Sequence, residues 1–300
     1  MKVLISIQQP VKQWQIPADG VDTLRKRFPH IQFIHATSPK QRAEGLSACD
    51  AMYTWILKDD ELAQASQLRW VHTSAVAVET LCLPELFARG ITVSNTRGVQ
   101  AVPIAEHVMA VTLALAKQIP FVIENQQQAR WAQNEFIGAR LPWLLKGRTL
   151  GLIGVGTIGH VERVYGKEQL DEFLAQSHVL VICAPLTPET HSLMGAKQFA
   201  QLPPGAVVVN VGRAKIVDTD ALIEALQSGH LGGASLDVFP QEPLPPEHPL
   251  WQTPNVILTP HTSGFRQGHW DEVIDLFGDN LDRWLKGEPL KFRIEPELGY

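Results

Sequence analysis

A glycine turn of the form G-x-G-x-x-G occupies residues 154–159 and follows directly on the apolar run 149–153. At the end of a β-strand, the first glycine allows a tight turn, the second lets the backbone approach a phosphate, and the third allows close packing of a helix. Free N–H groups and the helix dipole then attract an anion. The motif alone is weak and an ordinary turn is the alternative, but its position after a strand-like run favours a pyrophosphate site in an α/β fold.

Strand-like apolar runs alternate with amphipathic helical patterns from residue 1 to about 98. The predicted strands of this part are 3–7, 31–35, 51–56, 68–73 and 91–95, and the predicted helices are 21–28, 39–49 and 59–67. Continuous apolar strands that alternate with helices are typical of a parallel sheet covered on both faces. The sequence therefore predicts one α/β domain here.

A second alternation begins at residue 149, after two predicted helices. The predicted elements of this part are helices 101–118, 121–133, 167–176, 219–228 and 270–286, and strands 149–153, 179–184, 206–211, 234–238 and 256–258. We expect the last helix to return to the first domain. The predicted fold class is α/β with two doubly wound parallel-sheet domains, one formed by 1–98 and 266–300 and the other by 99–265.

The composition is typical of a globular protein of about two domains, since 45% of the 300 residues are apolar and 19% are charged. A net charge of −5 without a Lys/Arg cluster argues against nucleic-acid binding. Three cysteines without C-x-x-C spacing indicate reduced thiols in a cytoplasmic protein, and no His or Cys spacing predicts a metal site. The apolar stretch 101–119 contains Glu106 and Lys117, which favours a buried helix over a membrane span.

Arg213, Glu242 and His261 are candidates for chemistry. Arg213 follows the run 206–211 and His261 follows the run 256–258, so both stand near the carboxyl ends of predicted strands, where α/β sheets bind ligands. A guanidinium can hold a carboxylate through two parallel hydrogen bonds, and a neighbouring carboxylate keeps an imidazole protonated. The alternatives are an arginine that caps a surface turn and a solvated loop glutamate. With an anion-binding turn, the three side chains suit hydride transfer to a 2-keto acid.

The stretch after the glycine turn is too short for a complete dinucleotide fold. Such a turn is normally followed by a helix, a second strand and an acid about 20 residues on that binds the adenosine ribose. Only the 18 residues 160–177 separate the turn from the strand predicted near 179. They have room for one helical crossover but not for helix, strand and helix. Because none of Glu162, Glu168 and Asp171 follows a predicted strand, we nominate no ribose-binding residue.

Eight segments of the chain match one enzyme family. They are 95–98, 105–107, 154–159, 185–190, 209–213, 235–239, 242–245 and 260–264. Together they resemble the D-isomer-specific 2-hydroxyacid dehydrogenases, which include glyoxylate/hydroxypyruvate reductases and phosphoglycerate dehydrogenases. The resemblance implies a flavodoxin-like substrate-binding domain at 1–98 and 266–300, and a Rossmann-type dinucleotide-binding domain at 99–265 inserted into it. It also implies NAD or NADP as cofactor, a small 2-keto or 2-hydroxy acid as substrate, and a homodimer formed through about 99–145.

The resemblance further implies roles for single residues. Arg213 orients the substrate carboxylate and carbonyl, His261 is the acid/base, and Glu242 pairs with His261. The N–H groups of Val76 and Ala77 bind the substrate carboxylate, although the family usually has glycine at position 77. The positions that match cofactor-contacting residues are Gly154, Gly156, Thr157, Ile158, Gly159, Thr190, Val211, Gly212, Asp237, Ser263 and Gly264, with Asp237 near the nicotinamide amide.

The chain departs from the family pattern after Gly159, where roughly 30 residues that carry a helix, a strand and its terminal acid are missing. We expect a dinucleotide site that is weakened or lost around 159–178, beside an intact set of Arg213, Glu242 and His261, because the loss exposes a sheet edge and removes adenosine contacts. One alternative is a non-catalytic dinucleotide-sensing or scaffolding protein on the same fold. Another is that the gap is engineered or artefactual rather than natural.

Overall fold

The structure is a computed structural model that describes residues 1–156 and 161–296. Its strands are β1 Lys2–Ser6, β2 Gln32–His35, β3 Ala51–Thr54, β4 Trp70–Thr73, β5 Thr92–Ser94, β6 Leu150–Ile153, β7 Val179–Ile182, β8 Ala206–Asn210, β9 Leu231–Leu236 and β10 Val256–Leu258. Its α-helices are α1 Ala18–Arg27, α2 Pro39–Leu46, α3 Asp59–Leu62, α4 Leu83–Ala88, α5 Ala101–Ala116, α6 Ile119–Gln127, α7 Leu170–Gln176, α8 Ala196–Gln201, α9 Thr219–Gln227 and α10 His269–Lys286.

The described strands form two parallel five-stranded sheets, in the orders β2-β1-β3-β4-β5 and β10-β9-β8-β7-β6. The chain divides into two compact units, Met1–Val99 with Phe265–Tyr300, and Gln100–Gly264. Each unit contains one of the sheets. The predicted class, α/β with two parallel sheets and flanking helices, is therefore confirmed.

The first unit buries both faces of its sheet. Along β1, Val3 and Ile5 point to one face, where they pack with α1 and α10, and Leu4 points to the other, where it packs with α2 to α4. This separation follows from the alternation of side chains along a strand. Because both faces are covered by helices, the strands are mostly apolar, which is why the sequence shows nearly continuous apolar runs.

The second unit is built in the same way. Leu180 and Ile182 of β7 pack into one core with α7, α8 and α9, whereas Val179 and Val181 pack into another with α5. By length and composition, none of the described helices can cross a membrane alone, and α5 with α6 meets that test only as a pair bent by 68°.

Several predicted element bounds were wrong, for local reasons. The short helices α4 and α8 were not predicted, and α4 has a proline in its first turn. The predicted helix 121–133 begins at Ile119 and ends at Gln127. Strand β9 begins three residues earlier than predicted, because Gly232 belongs to it, and a Cβ there would lie 2.5 Å from the carbonyl oxygen of Gly205. Glycine disfavours a strand locally, yet close backbone contact requires it here.

The buried His72 in β4 links folding of the first unit to pH. The ring is fully buried, its Nδ1 lies 2.8 Å from Ser94 Oγ, and its Nε2 has no partner among the described residues. Burial lowers the pKa of His72 from 6.5 to about 3. As the pH falls below 6.5, the unfolded chain binds a proton that the folded chain does not bind. The free energy of unfolding therefore decreases as the pH is lowered below 6.5.

We predict that His72→Asn removes a contribution of about 1.4 kcal/mol per pH unit from the pH dependence of unfolding between about pH 6 and pH 4. Chemical denaturation of the wild type and the variant across this window measures the two slopes. The exposed His30→Asn is the matched control and should keep the wild-type slope. Equal slopes in wild type and His72→Asn would show that His72 is protonated in the folded protein.

Candidate active site

Most of the candidate functional residues lie at one edge of the second sheet. Its strands are all parallel, so their carboxyl ends lie along the same edge. Gly154 follows β6, Gly212 and Arg213 follow β8, Asp237 follows β9, and the loop 259–263 follows β10. This edge is where open α/β sheets bind ligands.

The structure brings Glu242 and His261 into direct contact. His261 Nδ1 lies 2.8 Å from Glu242 Oε2, and the other carboxylate oxygen, Oε1, accepts a hydrogen bond from the N–H of Phe239 at 3.0 Å. Because an ionised carboxylate only accepts, Nδ1 is the donor in this pair. The second ring nitrogen, Nε2, is left to exchange a proton with a bound molecule.

The pair shifts the pKa of both partners toward the charged forms. The hydrogen bond to Glu242 is the largest effect on His261, and together with the charges of Glu242 and Asp237 it raises the pKa of the imidazole against the opposing effects of burial and Arg213. Partial burial works to raise the pKa of Glu242, but the hydrogen bonds from His261 and Phe239, with the charges of His261 and Arg213, lower it overall. The geometry therefore favours an imidazolium beside a carboxylate.

The buried Asp237 fixes the loop that carries His261. Its side chain is 1% exposed, and its Oδ1 accepts hydrogen bonds from Thr259 Oγ1 and from the N–H of Thr262 at 2.9 Å, while Oδ2 accepts one from the N–H of Ser263 at 3.0 Å. A carboxylate has about four acceptor positions, so Oδ2 keeps one for a further donor. His261 itself has a left-handed backbone, with φ 56°.

The turn after β8 is held by Asn210, a residue that the sequence analysis did not single out. Its buried amide accepts a hydrogen bond from the N–H of Gly212 at 3.0 Å through Oδ1 and donates one to the carbonyl oxygen of Arg213 at 3.2 Å through Nδ2. Arg213 Nη1 donates to the Gly212 carbonyl oxygen at 2.9 Å. The only sequence signal for Asn210 was its place at the end of an apolar run, directly before the turn.

The described part of the glycine turn fits the phosphate side of a dinucleotide. Gly154 has φ 97°, and a Cβ there would lie 2.7 Å from backbone atoms of Ala184 in the next strand connection, so only glycine is accommodated. Among the described residues, no atom lies within 4 Å of a Cβ built on Gly156. Protein packing therefore does not require glycine at 156, whereas close approach of a phosphate does. The predicted cofactor positions Thr157, Ile158 and Gly159 lie outside the described residues.

The described residues do not form the part of such a site that would bind the adenosine. Among the described strands, β6 is at the end of its sheet and pairs only with β7. Residues 161–178 contain the short 3-10 helix Lys167–Gln169 and α7, but no strand. An acid at the end of a strand beside β6, which normally binds the adenosine ribose, is therefore not found in this part of the chain.

The remaining predicted cofactor positions also lie in connections of the second unit. Thr190 is in the connection after β7, and its Oγ1 donates to the carbonyl oxygen of Pro185 at 2.8 Å. The N–H of Val211 donates to the carbonyl oxygen of Ile182 at 3.0 Å. Gly264 ends the unit, and a Cβ there would lie 3.1 Å from the Gln100 side chain.

Val76 and Ala77 lie in the first unit, in the loop after β4. The loop is tied down by Asn95, whose Nδ2 donates to the carbonyl oxygen of Val76 at 2.8 Å, and by the N–H of Thr96, which donates to Ala75 at 3.3 Å. Within residues 1–156 and 161–296, the N–H groups of Val76 and Ala77 have no acceptor. Two neighbouring donors of this kind suit an anion.

Comparisons with known proteins identify the relatives of this chain. Residues 160–263 match the family model described as D-isomer specific 2-hydroxyacid dehydrogenase, NAD binding domain. The chain is 33% identical to a glyoxylate reductase of Thermofilum pendens, over 91% of this chain and 90% of that protein. It is 32% identical to a glyoxylate/hydroxypyruvate reductase B of Pectobacterium carotovorum, over 80% of this chain and 82% of that protein.

A solved structure shows the same fold. It is a D-isomer specific 2-hydroxyacid dehydrogenase from Xanthobacter autotrophicus in complex with NADPH and MES, with a TM-score of 0.80 and 26% identity, covering 100% of this chain and 99% of that chain. The alignment with the Thermofilum protein has 309 positions, whereas 91% of 300 residues is about 273, so about 36 positions have no counterpart in this chain.

We predict that Glu242→Gln lowers the pKa of His261, because the amide keeps the shape of the side chain but removes the charge that stabilises the imidazolium. An NMR titration of the His261 ring protons measures the change. Glu247→Gln, a change of the same kind at an exposed position of the same loop, is the control and should leave the titration as in the wild type. An unchanged His261 titration in Glu242→Gln would contradict the assignment of the pair.

Proposed function

Because the chain belongs to the D-isomer-specific 2-hydroxyacid dehydrogenase family, whose members are NAD(P)-dependent oxidoreductases, we propose that it reduces the small 2-keto acids glyoxylate and hydroxypyruvate. The observation that carries the proposal is the hydrogen-bonded pair of Glu242 and His261, at the sheet edge that also bears Arg213. The relatives are named as reductases, so the comparisons do not favour a non-catalytic sensing or scaffolding protein.

The proposed reaction divides the work between the cofactor and the protein. NAD(P)H, when bound, supplies the hydride that reduces the keto carbon. His261, protonated because of Glu242, donates the proton from Nε2 to the carbonyl oxygen, so that hydride and proton together convert the carbonyl group to an alcohol. Arg213 binds and polarises the substrate through its guanidinium, which stabilises the negative charge that develops on that oxygen.

The substrate carboxylate is proposed to bind to backbone donors and to Arg213. The N–H groups of Val76 and Ala77 supply two neighbouring donors without protein acceptors in the described chain, which supports their role. The alanine at position 77, in place of the usual family glycine, keeps the N–H and adds only a methyl group. Fixing the carboxylate in this way orients the keto group, and orientation alone contributes several kcal/mol to catalysis in favourable cases.

The cofactor is proposed to bind along the carboxyl edge of the second sheet. Its phosphates would lie at Gly154 and Gly156, with Thr157, Ile158 and Gly159 completing the turn in sequence. The free acceptor position on Asp237 Oδ2 suits the nicotinamide amide, which is a donor. The other proposed contacts are Thr190, Val211, Gly212, Ser263 and Gly264.

We predict that His261→Asn lowers kcat for keto-acid reduction about 100- to 10,000-fold, because the proton donor is lost. For the wild type, kcat/KM for reduction should be highest at low pH and fall as the pH rises through the raised pKa of His261, since the reaction needs the protonated ring. Steady-state rates with both keto acids and both cofactors measure these effects. The exposed neighbour of Arg213, Lys215→Gln, is the control. Wild-type rates in His261→Asn would refute the assignment.

We also propose a cytoplasmic homodimer formed through about 99–145. The three cysteines are free, in keeping with a reducing compartment. The proposed interface carries large apolar side chains that are well exposed in the single chain, and these are Val102, Met109, Leu113, Ile123, Trp131, Ile137, Leu141 and Leu144. Apolar surface of this extent is typical of a protein–protein interface.

We expect the double variant Trp131→Glu/Ile137→Glu to shift the protein from dimer to monomer, because these side chains are 89% and 70% exposed and the change would bury two charges in the interface. Sedimentation equilibrium gives the mass of each species. Val164→Glu, which is 74% exposed and lies outside the region, serves as the control. A wild-type monomer, or a double variant that stays dimeric, would rule out this interface.

A further inference from the structure

The cofactor site has unequal halves in this chain. The phosphate side keeps a positive-φ glycine at 154 and an open position at 156. On the adenosine side, β6 is the last strand of its sheet among the described residues, and Leu150 and Val155 at its ends are 43% and 54% exposed. A strand beside β6 would normally cover this edge and end in the residue that binds the adenosine ribose.

The segment that follows the glycine turn packs on α7 instead. The rings of Tyr165 and Phe173 are 5.6 Å apart, and Arg163 Cζ lies 4.4 Å from the centre of the Tyr165 ring. Phe173 in turn lies against β6, since a Cβ on Gly151 would be 2.8 Å from its ring. This segment therefore completes the core around α7 and supplies no strand to the sheet.

The two cations of this segment are each paired with a carboxylate. Arg163 forms an ion pair with Glu172 at 2.9 Å, and Lys167 forms one with Glu189 at 3.2 Å. Recognition of NADPH normally uses an arginine for the 2′-phosphate, and recognition of NADH uses an acid for the 2′-hydroxyl. Both cations are exposed and neutralised by carboxylates, so neither resembles a dedicated phosphate ligand.

From these observations we infer that the chain recognises its cofactor through the nicotinamide, ribose and phosphate half alone. The adenosine and its 2′ substituent contribute little to binding, so NADH and NADPH are not distinguished. Reduced nicotinamide mononucleotide, which lacks the adenosine monophosphate part, then binds with an affinity similar to that of NADH and NADPH and also serves as a hydride donor. The inference rests on the proposed function, because it concerns the cofactor of the same site.

Equilibrium binding tests the inference without reference to turnover. Fluorescence titration of the wild-type protein would give Kd values for NADH, NADPH and reduced nicotinamide mononucleotide. We expect the three values to lie within about tenfold of each other, since a remote part that makes no contacts adds no binding energy. AMP and its 2′-phosphorylated form, added at millimolar concentration, should not displace the mononucleotide.

The outcomes separate the inference from the proposed function. If NADH or NADPH binds more than tenfold tighter than the mononucleotide, the inference is wrong, while keto-acid reduction with the full cofactor leaves the proposed function standing. If none of the three binds and no keto acid is reduced, both are wrong. Displacement of the mononucleotide by AMP would also overturn the inference, because it requires an adenosine site.

Two sets of variants show which part of the site contributes to the affinity for the cofactor. Gly156→Ala adds a methyl group where none of the described residues has an atom within 4 Å, so we expect the fold to be kept and all three ligands to bind more weakly by a similar factor. Gly166→Ala, a nearby glycine with φ −73°, is the control. Arg163→Gln and Lys167→Gln should leave the ratio of NADPH to NADH affinity unchanged. A change in that ratio would show that these cations bind the 2′-phosphate.

Discussion

The buried carboxylate of Asp237 is the interaction on which the site depends. It accepts hydrogen bonds from Thr259, Thr262 and Ser263, which lie on both sides of His261. These bonds hold His261 in a left-handed backbone conformation that costs a non-glycine residue roughly 1–3 kcal/mol. With the backbone fixed, the ring can meet Glu242 at 2.8 Å, and the pair together sets the protonation of the imidazole.

Much of the fold could be predicted from the sequence, because strands buried on both faces are continuous apolar runs. The predicted strand bounds were wrong where a residue's local propensity disagrees with the conformation that tertiary packing requires. Strand β9 contains Gly232, which a strand tolerates here only because the backbone of Gly205 lies against it. At the site, strand ends singled out Arg213 and His261. Asn210 holds a local turn, and Asp237 accepts hydrogen bonds from residues far away in the chain. Neither kind of contact leaves a periodic pattern in the sequence, so neither could be predicted from it.

We propose that the adenosine half of the cofactor site and the catalytic residues depend on different strands of the second sheet. The residues proposed to handle the keto acid follow β8, β9 and β10, and β7 lies between these strands and β6. The proposed loss of adenosine contacts beside β6 leaves the hydrogen bonds of Asp237 and the pair of Glu242 and His261 in place. The adenosine half of the proposed site would thus depend on β6 and a strand beside it, whereas Arg213, Glu242 and His261 follow β8, β9 and β10, so one part can weaken while the other keeps its geometry.

Transfer of deuterium from the cofactor to the product would show directly whether this site reduces a 2-keto acid. NADH labelled with deuterium on the transferable C4 position would be incubated with hydroxypyruvate and the protein, and the product examined by NMR. With the wild type, we expect the label to appear on C2 of the 2-hydroxy acid. Unlabelled product, or a label that never leaves the nicotinamide at saturating cofactor, would contradict the assignment of this site as a 2-keto acid reductase.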